Sequence, residues 1–146
     1  MGKTTLKDIN SPADLRHCSI EELNGIAQEI RELLIDTCSK NGGHIGANLG
    51  VVELTMAVHT VFNTPKDKVI FDTSHQAYVH KIITGRREQF PTLCKYPGGL
   101  SRFIIRGENE YDLFSAGHAS TGLSAAMGFA EAAKLQNKDH RTICIV

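Results

Sequence analysis

The apolar positions of the chain fall into runs of two kinds, and each kind predicts an element. In "SIEELNGIAQEIRELLIDTCSKNGG", Ile20, Leu23, Ile26, Ala27, Ile30, Leu33, Leu34 and Cys38 recur at helical spacing, which places them on one stripe of an amphipathic helix. Ser19 and Glu22 stand in capping-box relation at its start, and Asn41-Gly42-Gly43 ends it. "LGVVELTMAVHTVF" is apolar on nearly every side, the pattern of a helix buried on more than one face, and it stops before Thr64-Pro65. Upstream, Ser11 as N-cap, Pro12 at the first helical position and Asp14 in the first turn predict a short helical turn.

The other kind of run is short and unbroken. "DKVIFDTS" is a β-branched and aromatic run ending in small polar residues, which predicts a buried parallel strand that delivers Asp72, Thr73 and Ser74 to a loop. "QAYVHKIITGR" predicts a helix after it, "GHASTGLSAAMGFAEAAKLQN" a helix rich in Ala and Gly, and "RTICIV" a second strand. Residues 87–112, with Pro97, Gly98 and Gly99 and no period, read as a long irregular loop, a kind more often functional or mobile than structural. Strand, helix, loop, helix, strand implies an α/β fold, a parallel sheet flanked by helices on both faces with right-handed crossovers.

Composition narrows the field. At 146 residues, 41% apolar and 22% charged, the chain supports one domain with a core, or part of one. Sixteen basic residues balance sixteen acidic ones, so no global field favours nucleic acid or an anionic membrane, and any anion site is local. Cys18, Cys38, Cys94 and Cys144 form no C-x-x-C pair, which argues against a zinc site and a secreted disulfide framework and points to the cytoplasm. The start lacks the apolar core of a signal peptide, and no run is long enough to span a bilayer.

Candidate chemistry concentrates in three loops. In "SAGHASTGLSAA", Ser120, Thr121 and Ser124 bring hydroxyls to the opening turns of a helix whose free N–H groups and dipole attract anions. The same residues also read as a plain helix cap with small residues packed on the sheet. "NGGHIGANLG" sets His44 among glycines, either to meet a substrate or to cover a helix end. "DTSHQAYVH" puts His75 just past a strand, at the carboxyl edge where α/β folds bind ligands. His80, five residues on, is on a different helix face, so a two-histidine metal pair is disfavoured. His59 reads as a satisfied core or surface histidine, and His17 and His140 as solvated. No carboxylate pair, Walker A loop or G-x-S-x-G elbow is present. The residues alone give a fold and an anion-binding helix start, without a reaction.

Taken together, "SKNGGHIGANLGVVELTMAVHTVFNTPKDKVIFDTSHQAYVHKIITGRREQF", "GGLS" and "AGHASTGLSAAMGFA" resemble the amino-terminal part of the transketolase-like 1-deoxy-D-xylulose-5-phosphate synthases in order and spacing. The resemblance implies an incomplete thiamine-diphosphate-binding domain over residues 1–146. It implies thiamine diphosphate and Mg2+ as cofactors, pyruvate and glyceraldehyde 3-phosphate as substrates, and a product feeding isoprenoid, thiamine and pyridoxal synthesis. By the same resemblance, His75 contacts the cofactor, Gly117, His118 and Ala119 form the turn beside its diphosphate, and His44 assists proton transfer. The expected assembly is a homodimer or a complex with a complementing chain.

Departures from the family pattern carry expectations of their own. Ser74 replaces a glycine beside the cofactor histidine and is expected to crowd the loop. In "GGLSRFIIRGE", Arg102 replaces a glycine and Ile104-Ile105 a proline-lysine pair, which predicts altered loop dynamics or substrate contact, and Ser115 stands where glycine is common. In the family a metal-binding G-D-G follows the strand matching "RTICIV", and neither it nor the later asparagine, the pyrimidine-binding domain or the carboxyl-terminal domain is in this chain. The chain alone is therefore expected to be inactive, with uncovered apolar surface that favours association. The other readings are a non-catalytic fragment or interaction module, or part of another transketolase-like enzyme.

Overall fold

Ser19 and Glu22 close the capping box expected of them: Glu22 N–H donates to Ser19 Oγ at 3.2 Å and Ser19 N–H to Glu22 Oε2 at 2.8 Å. The backbone N–H groups of Thr4 and Ser19 hold the Glu22 carboxyl at about 2. These contacts belong to a computed structural model that describes residues 3–95 and 97–146. After a 3-10 turn at Leu6–Asp8 come α1 (Pro12–Leu15), α2 (Ile20–Asn41), α3 (Ile45–Leu49), α4 (Val52–Val61), β1 (Lys68–Phe71), α5 (Tyr78–Lys81), α6 (Thr121–Leu135) and β2 (Thr142–Ile145). In α1, Asp14 accepts from the N–H groups of Asn10 and Ser11 at 2.9 and 2.8 Å.

The two strands pair in parallel, Lys68 with Thr142 through Phe71 with Ile145. Alternation along β1 sends Val69 and Phe71 to one face and Ile70 to the other. On the first face Phe71 meets the His80 ring of α5 at 5.1 Å; on the second, Cys144, the partner of Ile70, lines a cavity with Leu123, Ala126 and Met127 of α6. Helices thus cover both faces, as the α/β pattern predicts. The larger core is helical: Ile26, Ile30 and Leu34 of α2, Val52 and Met56 of α4 and Val79 of α5 pack with Phe90, Leu93 and Leu100 of the long connection.

Three expected elements take a different form. The helix expected over residues 76–86 is α-helical only at Tyr78–Lys81, then widens into a π-turn at Ile82–Arg86, where Thr84 and Gly85 leave helical angles and Gly85 takes φ 88. The apolar run expected to be helical from Leu49 becomes helical only at Val52, and the loop expected before it forms the short helix α3. The long connection over 87–112 is not irregular throughout: it forms a 3-10 turn at Phe90–Thr92 and buries Leu93, Leu100, Ile104 and Asp112. Tyr96, within it, lies outside the described residues.

What anchors that connection is a buried polar chain absent from any sequence pattern. His59 sits at 0% exposure, Nδ1 on Thr64 Oγ1 and Nε2 on His80 Nδ1, both at 2.9 Å, a core histidine as expected. His80 Nε2 faces Asp112 Oδ1 at 3.0 Å, and Arg86 donates to both Asp112 oxygens and to Glu108. Glu108 also receives the fully buried Lys81 ammonium. His140, expected to be solvated, is half-buried and its Nδ1 has no partner.

This chain of groups sets the response to acid. Burial, with the neighbouring His80, holds His59 well below the usual imidazole value, and burial outweighs the Asp112 contact to lower His80 as well. Both rings are neutral in the fold and readily protonated in the unfolded chain, so below about pH 6.5 the unfolded state binds more protons and stability falls. Denaturant unfolding at pH 7.5 and 5.5 is expected to show a loss approaching about 1.4 kcal/mol per pH unit for each such histidine. A pH-independent midpoint would contradict the neutral pair.

Apolar residues also remain uncovered. Leu123, Met127 and Leu135 of α6 are 58, 69 and 82% exposed, which matches the expected uncovered helix face. No helix among the described residues is long and apolar enough to cross a membrane.

Candidate functional site

Just past the carboxyl end of β1 a pair of histidines comes together. Asn48, fully buried on α3, brings them together. Its Nδ2 donates to His44 O and His75 O, both at 2.8 Å, and its Oδ1 accepts the Tyr78 N–H at 2.8 Å. The rings of His44 and His75 meet edge to face with centroids 5.4 Å apart. Sequence reasoning found both histidines and missed Asn48, whose contacts lie up to 30 residues away in the chain.

Tyr78 forms the floor. Its hydroxyl accepts the His44 N–H at 3.1 Å and faces His44 Nδ1 at 3.3 Å. Gly43 makes this approach possible: it takes φ 130, and a Cβ there would lie 2.9 Å from the Tyr78 hydroxyl. Phe103 closes another side, its ring 5.6 Å from that of His44. Burial first, then His75 and Arg102, lower the His44 pKa, so the imidazole is neutral at neutral pH and able to accept a proton. His75 keeps a buried Nδ1 with no hydrogen-bond partner, an orphaned polar atom of the kind a ligand satisfies.

The second half of the site is the turn before α6. Gly117, His118 and Ala119 are exposed, with His118 Nδ1 at 3.0 Å from Ala119 O. Here the structure corrects the expected anion site. Asp72, delivered by β1, accepts the N–H groups of Ser120 and Gly122 at 2.8 Å each, and these bonds hold its carboxyl below the usual range. The opening of α6 is thus occupied by an internal anion, and Thr121 turns its hydroxyl back to His118 O. Gly122 is needed for this closeness, since a Cβ there would lie 2.7 Å from Asp72 Cα. What remains for an external anion is the exposed turn at residues 117–119.

The departures from the family pattern gather at the same place. Ser74, expected to crowd the loop, instead fits without exposure and donates to Ala116 O at 3.2 Å, which ties the turn before α6 to the loop carrying His75. Among the described residues no three His, Cys, Asp or Glu side chains come together as a metal site. All four cysteines are unpaired.

The family model described as 1-deoxy-D-xylulose-5-phosphate synthase matches residues 6–146. Proteins of that name from Macrococcus caseolyticus and Dictyoglomus thermophilum are 55% identical over 146 residues and 52% identical over 141, covering 100% and 97% of this chain. One from Acidobacterium capsulatum is 57% identical over 127 residues, 87% of the chain. The chain spans 23, 23 and 20% of the lengths of these relatives. A match running through every element that builds the site, from α1 to β2, places this chain in the 1-deoxy-D-xylulose-5-phosphate synthase family.

Proposed function

We propose that residues 1–146 are the amino-terminal part of the diphosphate-binding domain of a 1-deoxy-D-xylulose-5-phosphate synthase. The reaction joins the two-carbon unit of pyruvate, after loss of CO2, to glyceraldehyde 3-phosphate. The observation that carries the reading is the His44–His75 pair at the strand edge, with the unpartnered His75 Nδ1 buried in it.

When bound, thiamine diphosphate would supply a nucleophilic carbon and a thiazolium ring able to take up the electrons that decarboxylation releases. His75 holds the cofactor through its open ring nitrogen, and the turn of Gly117, His118 and Ala119 receives the diphosphate. Asp72 already neutralises the opening of α6, so the diphosphate needs Mg2+ as its counter-charge. The Mg2+ ligands are assigned to the part of the relatives' length that this chain does not cover. His44, neutral and oriented by Tyr78, moves a proton to or from the bound substrate, while Phe103 and Tyr78 keep water off that side. The exposed apolar face of α6 is where a further domain, a second copy or a complementing chain packs, and the assembly acts in the cytoplasm.

The reading is tested by co-expressing the chain with a protein supplying the remaining length of its relatives, then assaying CO2 release from pyruvate. Release that depends on glyceraldehyde 3-phosphate, thiamine diphosphate and Mg2+, and falls at least roughly 100-fold in His44→Ala, is the expected result. Copurification of the two chains without turnover would sink the catalytic reading and favour an interaction module.

A further inference from the structure

Ser74 and the residue before it are held in a costly conformation. Thr73 and Ser74 take φ 57 and 66 in succession, the left-handed region that β-branched and other non-glycine residues avoid. Ser74 is also fully buried. Its surroundings must therefore hold it, and its hydroxyl is what they hold. The hydroxyl donates to Ala116 O at 3.2 Å and accepts the buried Ile104 N–H at 2.9 Å. A second serine repeats the contact two residues on, Ser115 Oγ accepting Arg106 N–H at 2.8 Å.

These bonds fix a segment that lies against His44. Ile104 packs with Val69, Phe71, Ala77 and Ile145. Just before it, Phe103 lies against the His44 ring, and Arg102 is close enough to oppose a positive charge on His44. Arg102 is exposed. The groups facing His44 are thus Tyr78 from α5, His75 from the loop after β1, and Phe103 and Arg102 from the long connection.

We propose that Ser74 is a positioning residue whose hydroxyl clips the 102–104 segment to the strand end, so that Phe103 is held against the His44 ring with Arg102 beside it. Its bearing on catalysis rests on the reading of the His44–His75 pair as the reactive edge. The clip itself is a property of the chain. Ile104 alone does not explain the arrangement, because a buried side chain does not satisfy a buried N–H.

Ser74→Gly and Ser74→Ala in this chain test the clip. Ser74→Gly relieves the left-handed strain and so removes the hydroxyl from a backbone that still folds. Amide exchange at Ile104 is expected to quicken roughly tenfold in both variants. The NMR titration midpoint of the His44 ring is expected to move up toward the ordinary imidazole value, while that of His59 stays in place. Arg102→Gln is expected to raise the His44 midpoint and leave Ile104 exchange unchanged. Unchanged Ile104 protection and an unchanged His44 midpoint in Ser74→Gly would overturn the proposal. If both respond as expected while thiamine diphosphate perturbs neither His75 nor residues 117–119, the cofactor reading fails and the clip stands.

Discussion

Replacing Asp112 by alanine is expected to lower stability by about 3–5 kcal/mol, the cost of leaving a buried charge without its partner. Asp112 is 3% exposed, and its oxygens face His80 Nε2 and both terminal nitrogens of Arg86, itself 3% exposed. Burial alone would raise the Asp112 carboxyl, but the His80 and Arg86 hydrogen bonds outweigh it and hold the group ionised. Removing the carboxylate leaves Arg86 with Glu108 as its one ion-pair partner, beside the Thr84 hydroxyl, and strips the second nitrogen of His80 of its partner, so the whole chain from Thr64 to Lys81 loosens. The effect is large against the 5–15 kcal/mol by which domains are stable. Glu110, exposed in the same connection, serves as the control, and its alanine variant is expected within about 0.5 kcal/mol of the parent. Urea midpoints measure both. Equal midpoints for the two variants would show that the buried network does not anchor the connection.

The second large effect is expected at Asn48. One side chain there satisfies two carbonyls and one N–H, all in a site without water access at Asn48 itself. Asn48→Ala orphans all three and is expected to cost about 2–4 kcal/mol. Asn48→Asp has nearly the same shape and still accepts the Tyr78 N–H, yet sets a carboxylate against the carbonyl oxygens of His44 and His75. It is expected to destabilise as much as alanine at neutral pH and to recover part of the loss in mild acid, where protonation restores one donor. A loss confined to alanine, with aspartate like the parent, would mean that volume rather than donor hydrogen bonding joins the two histidine loops.

The legible and illegible parts of this molecule divide along sequence separation. α2 was readable because its cap and its stripe are local: Ser19 reaches Glu22 three residues on, and the buried positions repeat at the helix period. The two strands were readable as short β-branched runs, and His75 was readable because its position just past β1 follows from the strand. The π-turn at Ile82–Arg86 was marked by Gly85, but a glycine inside an apolar run is as compatible with a weak helix. Asn48 and Asp72 could not be assigned at all. Asp72 caps a helix 48 residues away, and an aspartate after a strand looks the same whether it meets solvent, a ligand or a distant helix. The connection over 87–112 has no period because its order comes from Glu108 and Asp112 meeting Lys81, His80 and Arg86, a pairing that leaves no local trace. Ser74 looks like an intrusion in the sequence for a related reason: its partners Ile104 and Ala116 are both far along the chain.

The central claim is that this site receives thiamine diphosphate through His75 and the turn at residues 117–119. The most direct test is a 15N and histidine-ring NMR titration of the chain with thiamine diphosphate and Mg2+, run beside inorganic diphosphate and Mg2+ alone. The account predicts that the full cofactor shifts the rings of His44 and His75 together with the amides of Gly117, His118 and Ala119, that diphosphate shifts the amides alone, and that His59 stays still in both. Shifts confined to the exposed apolar face of α6, or none in the histidine pair at millimolar cofactor, would contradict it.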